Sequence, residues 1–293
     1  MIVITGASGK LGSQIVRKLL DLVPANELGV SVRNPDQARA LSALGVRVRA
    51  GDFTDPKSLE HSFEGADQVL VISAAIRGPG AEQANNAAID AARAAGANRV
   101  LYTSHQGASP SALFPPHRVH AATEAHLAAA GQPFTALRNG FYASTLAVNI
   151  GDALTTGIIS APADGPVSWT AHADLAEVAA IALTREGALE GVAPPLTATE
   201  MVDLEQVAAI LSDITGRPIK RLVVDDEEWK QEKIAAGLPP MVADFSLGMY
   251  LAARAGEYAV VDPTLERLLE RPTTPVHSTL QHIVNESMTA TRR

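Results

Sequence analysis

Three glycines near the N-terminus, Gly6, Gly9 and Gly12, recur at every third position within Thr5-Gly6-Ala7-Ser8-Gly9-Lys10-Leu11-Gly12. The apolar run Ile2-Val3-Ile4 precedes them, and Leu11, Ile15, Val16, Leu19 and Leu20 follow at helical spacing. A glycine turn between a strand and a helix is a cradle for phosphate. The first glycine permits the tight turn, the second lets the backbone approach a pyrophosphate, and the third lets helix and strand pack closely. The helix N-terminus adds free N–H groups and partial positive charge. Ser8 and Lys10 can add side-chain contacts. A glycine triplet alone is a weak signal, and the alternative is a plain turn. Here the strand before it and the amphipathic helix after it point to a dinucleotide.

The second strand decides which dinucleotide. It ends Val30-Ser31-Val32-Arg33-Asn34-Pro35, with no acid to hold a ribose 2′-hydroxyl. Arg33 suits a 2′-phosphate, which favours NADPH and leaves NADH open. The alternative is a solvated loop cation. Asp52 and Phe53, after the third strand, either flank the adenine or form a simple turn.

A second set of residues has acid–base potential. His117, His120 and Glu124 fall on one helical face. His120 could donate a proton or bond the nicotinamide ribose, or it could pair with Glu124. The spacing of the three matches no familiar metal site and would need a further ligand, so no metal is expected. His105 and Gln106 lie just past the fifth strand, where a substrate or a surface loop belongs. No Gly-x-Ser-x-Gly elbow surrounds any serine, which argues against a hydrolase. Phe141, Tyr142, Trp169, Met249 and Tyr250 could line a pocket for a flat ring, with core packing as the alternative. Met241 and Phe245 read as core.

These residues need a scaffold. Strand-like runs at Ile2–Thr5, Leu28–Val32, Val46–Ala50, Val69–Ile72, Arg99–Thr103 and Phe134–Leu137 alternate with helical patterns. The intervening helices carry Ala38, Leu41 and Leu44, then Ser58–Phe63, Ala81–Ala95 and Val119–Ala130. The rhythm predicts an α/β fold, a parallel sheet flanked by helices. It weakens after Leu146. Gly151–Pro166 reads as strand and loop, Ala173–Leu183 and Leu204–Thr215 as helices, and Ile219–Val224 as a strand. The division expected is a dinucleotide-binding domain over 1–150 and a smaller α/β substrate lobe over 151–293, some of whose segments return to the sheet. The polar tail from Asn285 is expected to fray.

Composition narrows the partners. The 293 residues carry a net charge of −8, which disfavours nucleic acid and anionic lipid. Hydrophobic residues at 46% and charged residues at 19% indicate a globular chain. With no cysteine, disulfides, thiolate nucleophiles and cysteine-based metal sites are excluded. No signal peptide or membrane-spanning run is read, so a cytoplasmic protein is expected. A small molecule is the expected partner, and a homodimer is left open.

The sequence resembles the NmrA-like branch of atypical short-chain dehydrogenases, and within it the triphenylmethane reductase and type 2 quinone oxidoreductase group. The resemblance rests on Val3–Gly12, Val32-Arg33-Asn34, Val48–Phe53, Ile72-Ser73, Tyr102-Thr103, His120–Glu124, Leu137–Tyr142 and Leu204–Gly216. It implies a Rossmann-type domain with a small C-terminal lobe and substrate between them. It also implies cofactor contacts from Gly6–Leu11, Arg33, Ser73, Ala74 and Ala75, and from Leu137, Arg138, Asn139, Gly140, Phe141 and Tyr142. The Tyr-x-x-x-Lys dyad of most short-chain dehydrogenases is absent. If His120 takes the lysine's place, the tyrosine's place holds Pro116. The function expected is therefore hydride transfer from NAD(P)H to an acceptor already electrophilic, such as a quinone or a cationic dye. Proximity and orientation then do most of the work. The alternative is an NmrA-like redox sensor that binds cofactor without turnover.

Overall fold

The computed structural model describes residues 1–74 and 80–290. Among the described residues there are nine strands: β1 (Ile2–Thr5), β2 (Leu28–Val32), β3 (Arg47–Ala50), β4 (Gln68–Val71), β5 (Arg99–His105), β6 (Phe134–Asn139), β7 (Ile158–Pro162), β8 (Gly191–Val192) and β9 (Lys220–Val224). Seven of them form one sheet in the order β3-β2-β1-β4-β5-β6-β8, and every pairing in it is parallel. β7 and β9 pair as a separate parallel ribbon.

Alternation along the central strands explains the layers. Ile4, Leu70, Leu101 and Leu137 point to one face, where they meet Leu11, Ile15 and Leu19 of the helix Lys10–Leu20 and Leu175, Val178 and Ala182 of the helix His172–Thr184. Val3, Val69, Val71, Val100, Tyr102 and Ala136 point to the other. There they meet Leu59 and Phe63, Ala88 and Ile89, and Leu127, from the helices Pro56–Phe63, Ala81–Ala94 and Pro115–Ala129. Both faces are covered, so the strands read as continuous apolar runs rather than alternating ones. This is the Rossmann-type α/β arrangement. Its strand order reverses between β1 and β4, which opens a crevice at the strands' carboxyl ends.

Residues beyond 150 contribute to the first of these layers as well as to most of a separate core. Leu265, Leu268 and Leu269 join the face of Ile4 and Leu70. A separate core gathers Phe114, Phe141, Leu146, Trp169, Val207, Leu211, Trp229, Tyr250, Tyr258 and Leu280. The polar tail from Asn285 continues a helix, with residues 285–289 exposed. The helix Val276–Ala290 runs through it, anchored by Val276, Leu280 and Val284, which recur every fourth residue and are all buried.

Candidate active site

The glycine turn leaves β1 with a geometry that excludes side chains. Gly6 has φ +61°, a left-handed conformation that favours glycine. A Cβ on Gly12 would lie 2.3 Å from the Gly6 carbonyl oxygen and 3.0 Å from Ala7 Cα, both immovable backbone. One on Gly9 would lie 3.2 Å from the same oxygen. The turn closes through Gly9 N–H donating to Gly6 C=O at 2.9 Å. No side chain caps the helix that starts at Lys10. Its first N–H groups therefore face outward beside exposed Ser8, Gly9 and Lys10, while Ala7 and Leu11 anchor the turn in the core.

The neighbouring strand ends are tied together by side chains. Thr5 Oγ1 accepts the Ile72 N–H, Thr103 Oγ1 accepts the Ser73 N–H, and Asn85 Oδ1 accepts the Ala74 N–H, each at 2.8 Å. These bonds satisfy backbone groups just past the last paired residues of β4. Ser73 and Ala74 are thus held beside the glycine turn, whereas Ala75 lies outside the described residues. Arg33 is exposed at the end of β2, with no carboxylate at ion-pair distance among the described residues. Asp52 stands near enough for its charge to be felt. Two bonds from Thr54 and, less strongly, Arg33 hold the Asp52 carboxyl below its usual range. Phe53 is half-buried against the second face of the sheet.

At the end of β6, Leu137 is core and Arg138 reaches back to Glu124. The Asn139 carbonyl accepts the Gln106 N–H at 2.8 Å. Gly140 is hemmed in, since a Cβ there would lie 2.1 Å from Thr170 Oγ1. Gln106 makes three side-chain bonds: its Oε1 accepts from the Phe141 N–H and the Ser168 hydroxyl, and its Nε2 donates to the Tyr258 carbonyl. It organises the loop from within. The Tyr142 ring packs on His172 with centroids 4.3 Å apart and the planes tilted by 36°. Burial and the Lys10 charge lower the His172 pKa to about 4.

The helical face that carries His117, His120 and Glu124 turns them to three different partners. Glu124 is taken by Arg138 and by the Ser104 hydroxyl, at 2.5 Å, so the expected His120–Glu124 pair is not formed. His120 Nδ1 instead meets the Tyr102 hydroxyl at 2.8 Å. His117 Nδ1 meets Glu257 at 3.0 Å. The His105 ring stacks on His117 at 4.4 Å and stands 6.1 Å from His120. Burial, reinforced by the neighbouring imidazoles, pushes His105 well below its ordinary pKa and His120 to about 3. Burial also lowers His117, against the pull of Glu257. All three rings are neutral at pH 7. Burial raises the phenols of Tyr102, Tyr142 and Tyr258, which stay protonated.

Of the residues expected against a substrate, His105, Tyr142 and Met249 are half-buried and Gln106 is enclosed. Phe141, Trp169 and Tyr250 are buried in the C-terminal core, and the Trp169 indole N–H donates to the Val202 carbonyl. With Met249 and Tyr258 they enclose a cavity of about 20 Å³, room for about one water. The site also contains residues to which sequence reasoning gave no role: Tyr102, Asn85, His172 and Glu257. Tyr102 and His120 are 18 residues apart, on β5 and on the helix Pro115–Ala129, so no local spacing marks them as partners. Glu257 reaches the site from a helix end far down the chain.

Comparison with known proteins agrees with this geometry. A family model described as NAD(P)H-binding matches residues 6–186, from the glycine turn through the helix His172–Thr184. Quinone oxidoreductase 2 of Escherichia coli is 34% identical over 288 residues, 97% of this chain and 99% of that one. The crystal structure of the NADPH-dependent quinone oxidoreductase from E. coli, complexed with NADPH, superposes with a TM-score of 0.90 at 31% identity, over 97% of this chain and 99% of that one. Citrobacter sp. triphenylmethane reductase complexed with NADP(H) superposes equally well, with a TM-score of 0.90 at 32% identity, over 97% of this chain and 100% of that one. An NAD(P)H azoreductase from Xenophilus azovorans is 31% identical, over 93% of this chain and 94% of that protein. The chain belongs to the NAD(P)H-binding family.

Proposed function

We propose that the protein is an NAD(P)H-dependent reductase, with NADPH preferred, that transfers hydride to a quinone, a dye or a similar planar electrophile. The observation that carries this reading is electrostatic. At the acceptor side of the cleft, His105, His117 and His120 are neutral and Tyr102 and Tyr142 are protonated, so no strong acid is available. Such a site suits an acceptor that needs no protonation to take hydride. The relatives named for quinone, azo and triphenylmethane reduction support the same class.

The chain fits the cofactor. The turn Gly6–Gly12 leaves space where a Cβ would clash, and its helix N-terminus carries no side-chain cap. Gly6, Ala7, Ser8, Gly9, Lys10, Leu11 and Gly12 would hold the pyrophosphate. Arg33 would meet the 2′-phosphate, with Asp52 and Phe53 near the adenosine. Ser73, Ala74 and the segment Leu137–Tyr142 would border the nicotinamide half. The nicotinamide ring supplies the hydride. A quinone that takes it becomes a hydroquinone anion, stabilised by its own ring, and completes its reduction with a proton from water. The protein's share is orientation, with the acceptor lying flat near His105, Tyr142 and Met249. Residues 151–293, less the segments that join the sheet, would form the substrate lobe. We place this activity in the cytoplasm, on small molecules and not nucleic acid, with a homodimer as the assembly to test by light scattering.

The test is NADPH oxidation against a panel of quinones, cationic dyes and enones, using cofactor deuterated at nicotinamide C4. A primary isotope effect or deuterium in the product is expected. Tight NADPH binding with no turnover on any acceptor would instead identify a cofactor sensor.

A further inference from the structure

The Tyr102 hydroxyl is fully buried, yet three polar groups converge on it: Asn85, His120 and Thr123. Their roles can be worked out in order. Asn85 Oδ1 is committed to the Ala74 N–H at 2.8 Å, so its Nδ2 is the end that faces Tyr102, at 3.0 Å. Asn85 therefore donates and the phenol oxygen accepts. The phenol proton then has two takers. Thr123 has given its own proton to the Val119 carbonyl at 2.9 Å and offers only an alcohol oxygen. His120 offers an imidazole nitrogen at 2.8 Å, the stronger acceptor for a phenol, which is itself the stronger donor.

We infer that Tyr102 donates to His120 Nδ1, fixes the ring's proton on Nε2, and so presents a neutral Nε2–H donor to the oxygen of the acceptor. Tyr102 is a positioning residue in this account, and His120 is the group that touches substrate. The inference rests on the reductase reading above. His120 Nε2 has no hydrogen-bond partner among the described residues, and it is not among the side-chain atoms sealed from solvent. No carboxylate competes for the ring, because Arg138 and Ser104 hold Glu124 and His117 faces Glu257. His105 takes the Gly107 N–H at its own Nδ1, so its proton too belongs on Nε2. A neutral imidazole N–H stabilises a developing oxyanion without surrendering its proton. That matches an acceptor whose proton comes from water.

The experiment is long-range ¹H–¹⁵N correlation of the histidine rings at pH 7.5, with His120 assigned through H120Q. The Nε2–H tautomer is expected in the wild type, and an Nδ1–H signal overturns the proposal. Tyr102→Phe should give a mixed or reversed tautomer and lower kcat with a quinone by about tenfold, with NADPH affinity kept. An unchanged kcat in a folded Y102F overturns the positioning role. Thr123→Val tests the rival bond: the Nε2–H tautomer should be the same in wild type and variant, whereas Nδ1–H in the wild type that switches to Nε2–H in the variant would mean that Tyr102 donates to Thr123. Absence of turnover in the wild type sinks the reductase reading and the donor role with it. The tautomer, read without any acceptor, distinguishes that failure from a wrong assignment of the Tyr102 proton.

Discussion

Arg138 and Glu124 meet in a two-pronged fork, Nε to Oε1 at 2.9 Å and Nη2 to Oε2 at 2.6 Å. The fork pins the helix Pro115–Ala129 to β6 and holds the carboxylate away from His120. Glu124 is almost wholly buried, so removing its cation leaves a carboxylate with one hydroxyl partner. Arg138→Ala should destabilise the protein by about 2–3 kcal/mol. Urea denaturation checks this, and a loss below about 0.5 kcal/mol would show the fork to be dispensable.

Arg33→Ala should weaken NADPH about tenfold to a hundredfold and leave NADH nearly unchanged. The reasoning is that only NADPH presents a 2′-phosphate to the exposed guanidinium. Titration of both cofactors by fluorescence reads the ratio. Equal losses would remove Arg33 from cofactor choice.

Gly12→Ala forces a methyl against the Gly6 carbonyl, where a Cβ would lie at 2.3 Å. Backbone must move on one side, and the phosphate turn moves with it. NADPH affinity should fall about a hundredfold. Gly248→Ala is the control for replacing a glycine, because its Cβ would meet the Phe114 side chain no closer than 3.5 Å, an ordinary contact. The idea fails if the two variants bind alike.

Acid should unfold this protein early. His105, His117, His120 and His172 all have folded pKa values below the ordinary 6.5, with His120 at about 3 and His172 at about 4. The unfolded chain therefore binds protons first as pH falls. Stability is full above about pH 6.5 and declines below it, until each folded pKa is passed. Each such histidine contributes up to about 1.4 kcal/mol per pH unit in that window. Denaturation midpoints from pH 7.5 to 4.5 measure the slope, and His120→Asn should make it shallower. A flat profile would mean that the rings are not buried neutral.

Much of the scaffold was legible in the sequence because its signals are local. The glycine spacing, the continuous apolar strands and the helix Leu204–Thr215 each follow from neighbours in the chain. Strand ends were read short, at Thr103 and Leu137 against observed His105 and Asn139, because the polar residues that extend β5 and β6 look like loop. The polar network was not legible. Glu124 looks paired with His120 on a helical wheel, yet Arg138 outcompetes it from another strand. Trp169 and Tyr250 look like pocket walls by residue type, yet they fill a core that only tertiary packing reveals.

The two main cores are threaded through each other. Apart from Phe114, which joins the second, the chain serves the first up to Leu137, the second from Phe141 to Trp169, the first again from Leu175 to Leu196, the second to Tyr258, the first once more at Leu265–Leu269, and finally the second. A ribosome that has released residue 200 has therefore completed neither. The nucleotide-binding half cannot fold to its final packing and wait for its partner. Both layers must close together, late in synthesis, and unfold as one cooperative unit.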